Sequence, residues 1–532
     1  MDATAGPINI ELMTTLAEIT RLHGLNRPNA TALSFDGRDT TYAQFHSRSN
    51  QVANALIAEG VTPGQRIAYL GKNCDRYFEV FFGAAKAGAV TTPIGWRLAP
   101  AEAATLLEDC EANVVFVGPD VAAQASAVFD RIAGRPRVIA IDDAPVNGST
   151  SFDAWLSAAS PDSPAVRIDP SDVVLQLYTS GTTGRPKGVM LTHENILSKQ
   201  RHACDAAMGW YQWSADDVSL VAMPVAHAAG SLWGMLGLLF GAKGIVVREF
   251  DTTQVLDFVE RDRISKMFMV PSALQIIVRQ PRSREVDYRR LKCIVYGASP
   301  MPVELLRECM EVFGCGFCQQ YGMTETSGVI VYLPPDDHYP GSKRLRAAGI
   351  PMPGVEIRIV DDMGAVLPPH AVGEVLIRSS SNMAGYWRMP EATQATVDPQ
   401  GWLRTGDAGY LDEDGYLYIH DRVKDMIISG AENIYPAEVE NALYGHPDVA
   451  EVAVIGVPDP KWGEAVKAVV VLRPGARADV PDMLSFARER IAAYKLPKSI
   501  DVVESLPRNT SGKVMRRVLR EPYWAGFERQ VN

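Results

Sequence analysis

Short β-branched runs alternate with helix-period segments over most of this chain, and that alternation confines it to a layered α/β architecture. Val114 to Gly118, Arg137 to Asp142, Asp172 to Ser180, Gly244 to Phe250 and Leu291 to Ser299 read as strands. They are apolar along their length, as strands buried on both faces of a parallel sheet must be. Ser47 to Ala58, Thr253 to Arg261 and Val303 to Val312 read as the helices that cover such sheets. The 532 residues exceed what one hydrophobic core organises, so two or three domains are expected.

Between Gly349 and Tyr418 the period changes. VEIRIVDD, GEVLIRS and YLYIHDR alternate apolar and polar residues between Gly and Pro turns, which predicts antiparallel strands in a small sheet or barrel. Beyond Arg422, VAEVAVIGVPD and AVKAVVVLRPG read as strands and PDMLSFARERIAAY as an amphipathic helix. That remainder is long enough for a separate small domain. The expected fold is therefore α/β and multi-domain. A large N-terminal domain holds two doubly wound α/β subdomains and a β-barrel-like subdomain, followed by a small α+β C-terminal domain. Leu220 to Ala242 carries no Asp, Glu, Lys or Arg and could span a bilayer by length. Pro224, His227 and four glycines interrupt it, so we read a loop and a buried helix.

The net charge of -11 argues against a nucleic-acid partner, which needs a basic surface. Seven scattered cysteines suggest no disulfide framework, so a reducing, cytoplasmic location is expected. Cys315 and Cys318 form a C-x-x-C without a second pair, and we read it as a strand or turn leading into Tyr321. MDATAGPINIELMTTLAEI lacks the basic and apolar regions of a signal peptide, and ERQVN carries no address motif. No transmembrane segment is expected. Oligomeric state is not readable, with a homodimer one candidate.

Tyr178 to Met190, YTSGTTGRPKGVM, offers three glycines, several hydroxyls and a lysine between a strand and the helix expected over Leu191 to Lys199. Gly181, Gly184 and Gly188 let backbone N–H groups turn towards a polyanion, Thr179, Ser180, Thr182 and Thr183 offer hydroxyls, and Lys187 adds positive charge. It is a phosphate nest, though not a G-x-x-x-x-G-K-[ST] loop.

This loop resembles the signature of the adenylate-forming superfamily, which includes acyl-CoA synthetases, peptide-synthetase adenylation domains and firefly luciferase. The resemblance runs along the chain in order. TYAQF and GAAKAGAVTTPI come first, then MPVAHAAG, YGASPM and QQYGMTET. GEVLIRS, MAGYW, RTGD, DRVKDMIISGAENIYPAEVE and PRNTSGK follow. It implies that Glu325, with Thr182 and Thr324 beside it, holds Mg²⁺, a hard cation suited to carboxylate and phosphate oxygen. It implies that Tyr321 stacks on adenine opposite the Gly297–Ala298–Ser299 backbone, with Gln320, Gly322, Met323 and Tyr418 also at the nucleotide. Asp407 and Arg422 would hydrogen-bond the ribose. Lys513 would be the catalytic lysine, reaching the carboxylate and the α-phosphate, and His227 would also serve catalysis.

The implied reaction forms an acyl-adenylate from ATP, then a thioester with coenzyme A. Between the steps a C-terminal domain, residues 425–532, would rotate against the N-terminal domain, 1–421, about a hinge at 422–424 centred on Lys424. Ser429, Gly430, Ala431 and Glu432 would then face the pantetheine. Ala431 stands where the family has a second glycine, so Gly430 is the expected close-approach residue. The acid would lie against His227, Ala228, Ser231, Leu232, Trp233 and Val329, among small or apolar residues with no Asp or Lys. Ala226 replaces a bulky aromatic and would widen the site. These features suggest an apolar acid, first a medium- or long-chain fatty acid. An aromatic, short-chain or steroid-side-chain acid is the alternative, as is an adenylation enzyme that loads a carrier protein.

Overall fold

The computed structural model describes all residues except 1–9, 11–12, 180–185, 207, 423–424, 430–431, 478, 510–511 and 526–532. Two mostly parallel sheets dominate. In the eight-stranded sheet, strands from Arg66–Leu70 to Thr150–Ser151 run parallel. One end is antiparallel, formed by β1 (Val173–Thr179) and β2 (Lys187–Thr192), with Gly385–Tyr386 beyond them. The phosphate-loop segment thus joins two antiparallel strands, not a strand and a helix as expected. The helix α1 (His193–Asp205) starts only after β2.

The N-terminus of α1 is fixed locally. Thr192 Oγ1 accepts the Asn195 N–H and Asn195 Oδ1 accepts the Thr192 N–H, a reciprocal cap. Leu220 to Ala242 contains a short strand, a loop and the helix α2 (Ala228–Leu239), buried along most of its length. No helix among the described residues is long and apolar enough to cross a membrane.

The nine-stranded sheet is parallel in its middle and antiparallel at both ends, and one of those ends carries site residues. There β3 (Cys293–Gly297) pairs in parallel with β4 (Gly316–Met323), which pairs antiparallel with β5 (Gly328–Leu333). Cys318 lies on β4 and Cys315 just before it, all seven cysteines are free, and the structural reading of C-x-x-C holds. Gly297 is required by contact. A Cβ there would lie 2.2 Å from the Gln320 carbonyl oxygen.

The segment expected as barrel-like is a four-stranded antiparallel sheet that includes β6 (Trp402–Leu411) and β7 (Leu417–Arg422). A bridge between Gly349 and Leu417 joins it to the region of β5. The C-terminal segment has a five-stranded sheet around Val449–Asp459 and Gly463–Leu472, with helices Pro436–Tyr444 and Val480–Arg488. Its apolar cluster, centred on Ile427, Ile434, Val439 and Val466, is separate from the main core.

Two predictions follow from packing. Gly297→Ala forces β3 and β4 apart and should lower stability by about 1–3 kcal/mol, read as a fall in thermal midpoint. The second concerns His193, 1% exposed, whose Nδ1 accepts the Leu16 N–H at 3.1 Å. Burial pulls this imidazole down to about 3. Burial also lowers His46, His227 and His338, each to about 4. The unfolded chain takes up protons on these groups near pH 6.5 while the folded chain does not. Stability is therefore present above that pH and lost as pH falls towards 4. His193 alone should cost about 2 kcal/mol at pH 5. The thermal midpoint should fall between pH 7 and 5, with a shallower slope in His193→Gln.

Candidate functional site

A cavity of about 1160 Å³ opens where the antiparallel ends of the two large sheets meet. Thr179 and Lys187, the two flanks of the phosphate loop, lie on its wall. Ser180, Gly181, Thr182, Thr183 and Gly184 are outside the described residues. The end of β4 and the turn after it supply Gln320, Tyr321, Gly322, Met323, Thr324 and Glu325. Ala298 lines the cavity from the end of β3, in a left-handed conformation (φ 67). Gly297 and Ser299 do not reach the wall, and contact with β4 accounts for the glycine.

Asp407 on β6 is 6% exposed, and its Oδ2 accepts the Tyr321 hydroxyl at 2.6 Å. A buried carboxylate needs such donors, and this one fixes the Tyr321 ring at the cavity. Register places Asp407 opposite Arg422 of β7. The Arg422 side chain is outside the described residues. Tyr418 is not on the cavity wall. Its ring stacks on Tyr410 at 4.9 Å between centroids.

Glu325 is 7% exposed in a single 3-10 turn, Thr324–Thr326. Its Oε1 accepts the Tyr386 hydroxyl at 3.0 Å, and the Lys187 ammonium lies 4.7 Å from the Tyr386 ring centroid. Tyr386 therefore touches both the loop cation and the acidic residue. Sequence reasoning gave it no role, although it lies within MAGYW. One buried carboxylate facing the phosphate-loop flanks fits a Mg²⁺ held mainly by phosphate and water.

His227 caps α2 and lines the cavity. Burial, then the nearby Arg97 charge, keeps its imidazole neutral, down to about 4. Beyond it Ala228, Leu232, Trp233 and Val329 line the cavity, with Leu236 and Phe268. The Trp233 Nε1–H donates to the Leu220 carbonyl at 2.9 Å, so its polar edge is satisfied inside the core. Three expectations fail. Ser231 is fully buried and faces away, with its hydroxyl on the Val225 carbonyl and against the Tyr77 hydroxyl. The wall also contains a lysine, Lys199 of α1. Ala226 is buried off the wall and does not widen it.

Lys513 lies between Arg508 and Val514, which form an antiparallel bridge, and its N–H donates to Asn509 Oδ1 at 2.9 Å. Arg508 donates to the Gly512 carbonyl at 2.7 Å and pairs with Glu451 at 2.6 Å, which braces the turn. Gly512 packs near Ser272 at a second cavity of about 150 Å³. Met223, Pro224 and Val270 line both cavities, so the Lys513 turn sits next to the main one. Ser429 ends a short strand paired to Glu432, while Met426 and Tyr435 line the main cavity. Gly430, Ala431 and Lys424 are outside the described residues, as is the Glu432 side chain.

Tyr386→Phe removes a hydrogen bond to a charged group. We expect acid-dependent pyrophosphate exchange to fall about tenfold in kcat/KM, from a contact of about 1.5 kcal/mol. Wild-type exchange rates would remove Tyr386 from the site.

Residues 22–387 match the AMP-binding enzyme family, and residues 438–513 match the AMP-binding enzyme C-terminal domain. Fatty acid–[acyl-carrier-protein] ligase ScoC of Streptomyces coeruleorubidus is 39% identical over 97% of this chain and 98% of its own. A feruloyl-CoA synthase of an Amycolatopsis species is 40% identical over 93% of this chain and 96% of its own. The crystal structure of ATP-bound MatB from Rhodopseudomonas palustris superposes with a TM-score of 0.86 at 31% identity, covering 97% of this chain and 100% of that one. The chain belongs to the AMP-binding enzyme family of the adenylate-forming superfamily, and it is an acid–thiol ligase.

Proposed function

We propose that the protein converts a carboxylic acid with an apolar body to its CoA thioester, using ATP and forming AMP and diphosphate through an acyl-adenylate. One observation carries this reading. A single cavity joins Lys187, Tyr321 and Glu325 to the apolar wall of Leu232, Trp233, Leu236 and Phe268. The first end suits a nucleotide triphosphate and the second suits the acid.

In the first step an oxygen of the acid attacks the α-phosphorus and diphosphate leaves. Lys187 and the loop would hold the departing phosphates. Lys513 would offset charge at the reacting centre, a kind of contact worth about 3–4 kcal/mol in other enzymes. Glu325, with Thr182, would hold Mg²⁺, which supplies positive charge to the phosphate oxygens. Tyr321 and Asp407 would position the adenosine. In the second step the thiol sulfur attacks the anhydride carbonyl and AMP leaves. His227, neutral at the cavity wall, presents a hydrogen-bonding ring without adding charge. The steps need different surroundings, so we assign residues 1–421 and 425–532 to two bodies that turn about 422–424.

A medium- or long-chain fatty acid is the first candidate, because most of the acid wall is aliphatic or aromatic. A second reading, an acid with an oxygen beyond its apolar body, is favoured by Lys199. CoA is the first thiol to test. A carrier protein is the alternative, since one relative is named for that acceptor.

AMP release and thioester mass, measured over a panel of acids with CoA or carrier protein, test the whole reading. No acid-dependent AMP release would reject it. Lys513→Ala should lower adenylation at least a hundredfold while still turning over supplied acyl-adenylate with thiol. Lys424→Pro should do the reverse, leaving adenylate formation largely intact and abolishing thioester formation in single-turnover assays. Equal loss of both half-reactions in the proline variant would refute the hinge.

A further inference from the structure

Among the described residues, Lys199 is the one cation on the acid wall that the proposed mechanism does not use. It is 4% exposed, on the buried stripe of α1 with Ile196, Gln200 and Ala203. Its Nζ donates to the Ser327 carbonyl. Among the described residues no other acceptor is recorded for it. On the same stripe, Gln200 Oε1 accepts the Tyr211 hydroxyl. An ammonium has three donors, and one carbonyl satisfies one of them. Burying the others without acceptors is costly.

Structural need does not account for the lysine. Ser327 is already anchored, because its hydroxyl donates to the Ser381 carbonyl at 2.9 Å. Position is informative instead. A Cβ on Gly328 would lie 3.7 Å from both Lys199 Nζ and Leu232 Cδ1, so the ammonium and Leu232 flank the same space. Leu232 lies five residues beyond His227, about 7 Å further along α2.

We infer that Lys199 is a specificity-determining residue that donates a hydrogen bond to an acceptor oxygen carried by the acid beyond its apolar body. This rests on the acid–thiol ligase reading above and names the substrate class within it. A carbonyl, a hydroxyl or a second carboxylate would serve. Burial pulls the ammonium down to about 7. Near neutral pH it therefore has both forms within reach. A carboxylate would draw out the charged form, and a neutral oxygen would accept from either.

Length-matched pairs of acids test this in the full-length enzyme with ATP and CoA. One member of each pair ends in a methyl group and the other in a hydroxyl, a ketone or a carboxylate. The wild type should favour at least one oxygen-bearing class at least tenfold in kcat/KM, mostly through KM. Comparing the neutral and carboxylate arms tells which oxygen is recognised. Lys199→Met should bring that ratio to about one or below, and Lys199→Arg should keep part of it. A rise in thermal midpoint with ATP reports that each variant is folded, and Lys199→Gln replaces the methionine variant if that one is not. A wild-type ratio near one, or the same ratio in a folded Lys199→Met, overturns the proposal. So does an equal loss for both members of a pair, which is what a purely structural lysine would give. Absence of AMP release with every acid fails the ligase reading itself, an outcome distinct from release without preference.

Discussion

The contact between Gly297 and the Gln320 carbonyl sets the position of everything around it. With only hydrogen at that point, β3 and β4 run close together to the end of β3, where Gly297 pairs with Gln320. A second close approach follows at Gly322, where a Cβ would lie 2.0 Å from the Gly328 carbonyl. The strand between these two points carries Gln320 and Tyr321, and the next turn carries Thr324 and Glu325. Their side chains are aimed by backbone contacts that tolerate no substituent. The hydrogen bond from Tyr321 to Asp407 then ties this strand to the four-stranded sheet, and that from Tyr386 to Glu325 ties it to the eight-stranded sheet. Three sheets therefore meet at one short segment.

Much of this was legible in the sequence, for physical reasons. Strands buried on both faces must be apolar throughout, so Val114–Val117 and Cys293–Gly297 showed themselves. Glu325 and Asp407 were named through the resemblance to the adenylate-forming superfamily, and both are buried carboxylates that accept a tyrosine hydroxyl. The hairpin after the phosphate loop was not legible. Gly188 to Thr192 is apolar at both helical and strand spacing, and pairing with Val173–Thr179 decided it. Ser231 was misplaced because α2 is apolar around its whole circumference, so no polar face shows which side meets the cavity.

Lys199 was hidden differently. Ile196, Lys199, Gln200 and Ala203 follow the i, i+3, i+4, i+7 spacing of a buried stripe. Two polar members on that stripe were the signal, but a lysine on a helix is nearly always taken for a solvated one. Burial of Lys199 became evident only once α1 was seen packed beneath the turn at Ser327.

The site must hold a polyanion and an apolar acid within one cavity of an acidic protein. Net charge does not oppose this, because exposed carboxylates more than about 8 Å away are largely screened at physiological salt. What matters is the sign of the few charges that are close. Lys187 approaches from the eight-stranded sheet, and the Lys513 turn from the C-terminal segment lies beside the adjoining cavity. Lys199 stands on the wall that also carries Leu232 and Trp233. A third basic group there gains a partner when the acid brings an acceptor of its own, because the phosphates belong to the other end of the cavity.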